Sequence, residues 1–70
     1  MKYAVIVEHG PDNYSAYVPD LPGCVSTGET YDEAMENIRE AIEGHLQVMQ
    51  EFGDPIPQPI SQAACVEIAG

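Results

Sequence analysis

Only two residues of this chain carry a fixed positive charge, Lys2 and Arg39, against twelve acids, for a formal net charge of −10 over 70 residues. Proteins that grip nucleic acid take much of their affinity from Lys and Arg displacing phosphate counterions, so direct nucleic-acid binding is not expected. An anionic membrane surface is disfavoured by the same repulsion, and no stretch approaches the roughly 20 apolar residues of a membrane-spanning helix. Tryptophan is absent, and cysteine is limited to Cys24 and Cys65. There is no Cys-x-x-Cys pair, and MKYAVIVEHG holds too short an apolar run for a secretory signal. The simplest interpretation is a cytoplasmic, reduced chain whose two cysteines are buried small hydrophobes. Cys24, Cys65, His9 and His45 include no two at a zinc-site spacing, so neither metal nor cofactor is expected.

The length leaves room for one domain, residues 1–70, and nothing more. A chain this short buries only roughly 60% of the surface its unfolded form exposes, and domains of its size usually lean on a disulfide, a metal or a partner. With the first two disfavoured, self-association into a dimer or tetramer, or a protein partner, is the expected support. A basic partner suits the charge.

Tyr3 to Glu8 (YAVIVE) is rich in β-branched residues and suits a strand, as does Asn13 to Val18, which sets Tyr14, Ala16 and Val18 on one face. Gly10-Pro11-Asp12-Asn13 between them consists of turn formers, predicting an antiparallel hairpin with a loop of about four or five residues. Pro22-Gly23 sits where a type II turn wants it, and a third strand over about Cys24 to Thr27 should follow. The Thr30-x-x-Glu33 capping box opens a periodic stretch running to Phe52, with Gly53 at the C′ position. Tyr31, Ala34, Ile38, Ala41, Ile42, His45, Met49 and Phe52 fall on one face of that helix; Glu29, Glu33, Glu36, Glu40, Glu43, Gln47 and Glu51 fall on the other. After the alternating prolines of Asp54 to Pro59, which hold the chain extended, Ala63 to Ile68 is expected to be a last strand. The expected fold class is α+β in the order β-β-β-α-β, with one helix on one face of a four-stranded sheet and the other face partly open or covered by another chain.

Tyr17-Val18-Pro19-Asp20-Leu21-Pro22-Gly23-Cys24, with Thr27-Gly28-Glu29-Thr30, Glu33-Ala34, Asn37-Ile38, Ala41-Ile42 and Ile56-Pro57-Gln58-Pro59, resembles the pattern of the HicB-like antitoxin family over nearly the whole chain. The resemblance implies a partial ribonuclease-H-like fold whose fourth strand pairs beside the first. It also implies self-association and binding to a HicA-type toxin, a small basic mRNA-cleaving ribonuclease whose active site the antitoxin occludes. Many family members carry a C-terminal DNA-binding segment; none is expected within these residues. The alternative is a free-standing oligomeric HicB-like domain that binds another protein or a small molecule.

No catalytic constellation stands out. Ribonuclease-H-like nucleases hold Mg²⁺ with carboxylates from the first strand, the helix and the fourth strand, for which Glu8, Glu36 or Glu40, and Glu67 are the acids on offer. The helix acids point away from the sheet and the first strand is apolar at its centre, so the chain is not expected to be an enzyme. His45, alone on the apolar face, is expected to be a core or interface residue. The candidate partner-binding residues are Glu33, Glu36, Glu40 and Glu43, an acidic stripe broken by no base but Arg39, together with Tyr14 and Tyr17.

Overall fold

In the computed structural model, which describes residues 1–70, the chain runs β1 (Ile6–His9), β2 (Tyr14–Tyr17), β3 (Val25–Gly28) and α1 (Tyr31–Glu51). The strands form one antiparallel sheet in the order β1-β2-β3. Its register aligns Ile6 with Tyr17 and Tyr17 with Val25, so that row crosses all three strands. Gly10 to Asn13 close the first hairpin, with the Gly10 amide donating to the Asn13 carbonyl at 2.8 Å. At Leu21-Pro22-Gly23-Cys24 the Cys24 amide donates to the Leu21 carbonyl at 3.0 Å, and Gly23 takes φ +85°, the positive value a type II turn demands of its third residue.

The helix begins and ends where its capping residues dictate. The Glu33 amide donates to Thr30 Oγ1 at 3.1 Å, while Glu33 Oε1 accepts from the Glu29 amide at 3.2 Å, one residue earlier than a standard capping box. At the other end Gly53 adopts φ +70°, its amide donates to the Gln50 carbonyl, and the Asp54 amide donates to the Met49 carbonyl. That pair of bonds is a Schellman motif, which satisfies carbonyls the last turn would leave open.

Helix and sheet meet most closely at Gly28. A β-carbon there would lie 2.9 Å from Ala34 Cα, so only glycine lets the first helical turn approach β3 this closely. Asn37 Nδ2 adds a 2.8 Å bond to the Thr27 carbonyl. The core of Ala16, Val18, Leu21, Cys24 and Ile38 is flanked by half-buried Tyr3, Val5, Val7, Met35, Ala41, Ile42 and Leu46. Only 7 of 70 residues are buried, which is little for a chain that must stand alone.

Several expectations are corrected. Ala63 to Ile68 form no strand: residues 62–70 are exposed and outside the sheet, because Asp20 in the connection after β2 holds Ser61 and the chain leaves that point without returning to either sheet edge. Cys65 is accordingly exposed, and only Cys24 behaves as a buried hydrophobe; both are free thiols. Phe52, 76% exposed, lies at the C-cap beyond the end of the sheet, and Tyr31 at the first helical position is also exposed. Met35 and Leu46 take their places against the core.

Candidate functional site

The acids expected to form a stripe do so. Glu33, Glu36, Glu40 and Glu43 are all exposed on α1, on the side turned from the core that Ala34 and Ile38 enter. Arg39 is the sole base on the helix, three residues after Glu36 and four before Glu43, so Glu33 and Glu40 have no Lys or Arg at the i, i+3 or i, i+4 spacing that normally offsets such charge.

The two candidate tyrosines do not join each other. Tyr14 shares the inner sheet face with buried Ala16 and Val18, stacks on His9 with ring centroids 4.1 Å apart, and meets Tyr31 edge-on at 6.4 Å. It therefore lies at the N-terminal end of α1, near the start of the acidic stripe. Tyr17, an odd number of residues along, faces the opposite side of the sheet. There, with Ile6 and the exposed Val25, it makes an apolar row across the uncovered face. The candidate residues thus divide between two surfaces: an acidic helix face with Tyr14 at one end, and an open sheet face centred on Tyr17.

A third surface was not legible beforehand. Helix α1 lies over β3 and, to a lesser extent, β2, leaving the inner side of β1 incompletely covered. An apolar groove of about 620 Å³ results, lined by Val5, Met35, Ile38 and Ile42, with Glu36, Arg39 and Glu43 on its rim. Helical spacing alone places Met35 and Ile42 on the helix but not the lateral offset of helix from sheet. His45, half-buried, sits on the far flank beside Cys24 and Val25.

One carboxylate is more heavily engaged than the rest. Asp20, in the connection after β2, accepts from the amides of Ile60 at 3.0 Å and Ser61 at 2.9 Å through Oδ2, and from the Ser61 hydroxyl at 2.8 Å through Oδ1. The Ser61 amide, then its hydroxyl, then the Ile60 amide hold the Asp20 carboxyl below its ordinary value, with desolvation acting the other way. Tyr3 anchors the same connector four residues earlier, its hydroxyl donating to the Pro57 carbonyl at 2.6 Å. Burial pushes the Cys24 thiol up.

Glu8, Glu36, Glu40 and Glu67 are not brought together, and no group of three metal-ligating side chains occurs. No helix is long and apolar enough to cross a membrane.

A three-stranded meander roofed on one face by a single acidic helix defines a small open-sheet α+β domain. The chain belongs to the family described as HicB-like antitoxin of bacterial toxin-antitoxin system, which matches residues 3–68. It is 44% identical over 64 residues to an uncharacterised 14.9 kDa protein of Haemophilus phage HP1, covering 89% of this chain but only 48% of the phage protein, so it spans about half that relative's length. It is 41% identical over 59 residues to a UPF0150 protein of Thermoplasma acidophilum, covering 83% of this chain and 86% of that one. Among solved structures, it is similar to the N-terminal domain of Burkholderia pseudomallei antitoxin HicB, with TM-score 0.78, 38% identity, and coverage of 89% and 74% of the two chains. It is also similar to a chain of a HicA3 and HicB3 toxin-antitoxin complex, with TM-score 0.73, 27% identity, and coverage of 86% and 70%.

Proposed function

We propose that this chain is an antitoxin-type binding module that neutralises a small basic HicA-type ribonuclease by direct contact, and that it acts without catalysis or cofactor. The observation that carries the proposal is the single-signed stripe Glu33, Glu36, Glu40 and Glu43, exposed along one helix of a domain whose family is one of antitoxins. Charge of one sign accelerates encounter with a basic partner and rejects acidic ones. Similarity to a chain from a toxin-antitoxin complex supports the choice of partner. Tyr14 extends the proposed contact at the helix N-terminus, and Tyr17 belongs to the separate sheet surface.

Charge reversal tests the contact. Replacing Glu36, Glu40 and Glu43 together with Lys is expected to slow association with a co-expressed HicA-type toxin at least tenfold at low salt and to abolish most of its salt dependence. Unchanged association rates and salt dependence would refute the role of the stripe. A toxin that stays fully active and fails to co-purify with the unmodified chain would favour the second reading, a free-standing oligomeric domain that binds another protein or a small molecule. The groove beside β1 is the observation on that side.

A further inference from the structure

Residues 62–70 have no place in the fold of their own chain. Val66 and Ile68 are 80% and 79% exposed, a large apolar surface to leave in water. The chain measures 48 Å along its longest axis, whereas a 21-residue helix spans only about 32 Å. Its radius of gyration is 13.6 Å, against about 11 Å for a compact domain of this length. A projecting segment accounts for both excesses.

Its sequence is that of a strand. Ala64, Val66 and Ile68 alternate with Ala63, Cys65 and Glu67, so an extended backbone presents an entirely apolar face and puts the one acid on the opposite side. A surface of matching kind exists on the sheet. β1 is an edge strand with unpaired backbone groups along one side, and neither a proline nor a bulge protects it. Beside it lies the groove of Val5, Met35, Ile38 and Ile42. A strand added to that edge would set alternate side chains into the groove and complete the cover that α1 leaves unfinished over β1. The other edge strand, β3, is already the strand α1 packs on most closely.

The segment's own β1 is badly placed to receive it. The connector passes Tyr3, just before β1, at Pro57, and by Ser61 it is held at Asp20, in the connection beyond β2. Pairing with its own β1 would require the chain to turn back across the end of the sheet it has just passed, whereas leaving the Asp20 clamp outward points the segment to another molecule.

We infer that residues 63–68 add as a strand to the β1 edge of a second copy of this chain, Ala64, Val66 and Ile68 filling that copy's groove, with the exchange reciprocated about a two-fold axis. Reciprocity closes the assembly, because each copy has one segment and one receiving edge. Backbone pairing provides much of the affinity, and the alternate side chains set the register. This inference does not rest on toxin binding, although Glu36 and Glu43 of the acidic stripe also rim the groove.

Three measurements test it on the full chain with no toxin present, so that its failure and the failure of the toxin proposal are separable. Sedimentation of the unmodified chain at micromolar concentration is expected to give a dimer or a multiple of one. Val66→Asp with Ile68→Asp is expected to weaken self-association at least tenfold while leaving the helical circular dichroism in place. In the exchanged strand Cys65 lies on the outer side, the side that Ile6 and Glu8 occupy on β1. Chains retaining Cys65 are therefore mixed with chains carrying Cys65→Ser and either Ile6→Cys or Glu8→Cys, and mildly oxidised. A covalent dimer of the two unlike chains is expected with at least one of them. A monomer at micromolar concentration, a dimer indifferent to the two aspartates, or no covalent dimer of the unlike chains with either Ile6→Cys or Glu8→Cys would each overturn the inference.

Discussion

Gly28 carries a constraint out of proportion to its size. Because a β-carbon there would collide with the backbone of Glu33 and Ala34, Gly28→Ala must push the first helical turn off β3. Overpacking of this kind costs about 1–3 kcal/mol, and contact with backbone, which cannot rotate away, puts the expected loss near about 3 kcal/mol. Gly44, on the exposed side of α1 with nothing within 4 Å of where a β-carbon would sit, is the natural control: Gly44→Ala should gain up to about 1 kcal/mol. Urea unfolding of the two variants checks the pair, and equal midpoints would refute the steric account. The sequence displayed both glycines without distinguishing them. What separates them is a tertiary approach, whereas Gly23 and Gly53 were legible because the turn and the cap that need them are written in adjacent residues.

At the scale of elements, the capping box, the Pro-Gly turn and the two-residue and 3.6-residue periodicities carried enough local information to place three strands and the helix to within a few residues. The last expected strand was different: its alternation is real, but alternation states only what a segment can do beside an edge, not which edge it reaches. Asp20 is the element-scale feature that decides the path of the connector, and its bonds depend on ionisation. Since its carboxyl is held below the ordinary value of 3.8, the anchoring is complete above that value and is lost as pH falls through the lowered one. The Ser61 amide resonance should therefore move in acid with a midpoint below the ordinary carboxylate range. In Asp20→Ala that titration should vanish and Ser61 amide exchange should quicken several-fold at neutral pH. An acid midpoint at or above the ordinary value would contradict the clamp.

At the scale of the whole molecule, a charge of −10 on so few buried residues implies self-repulsion that salt should relieve. The Debye length falls from about 30 Å at about 0.01 M to about 3 Å at about 1 M, so raising NaCl between those limits should stabilise the fold by about 1 kcal/mol. For a domain of this size that is about 4–8 °C in Tm, and a Tm that stays level or drops in salt would exclude repulsion as a significant burden. The candidate site was legible only in part for a related reason. The acidic stripe follows from helical phase alone, whereas the separation of Tyr14 from Tyr17 and the offset of α1 from β1 depend on how the layers settle. Fastening along α1 is also uneven. Gly28, the Thr27 to Asn37 bond, the cap and both buried helical residues, Ala34 and Ile38, all lie at or near its N-terminal end, while its C-terminal half rests on half-buried side chains. The helix is therefore a lever pinned at one end, and whatever displaces it swings first the end from which the connector hangs.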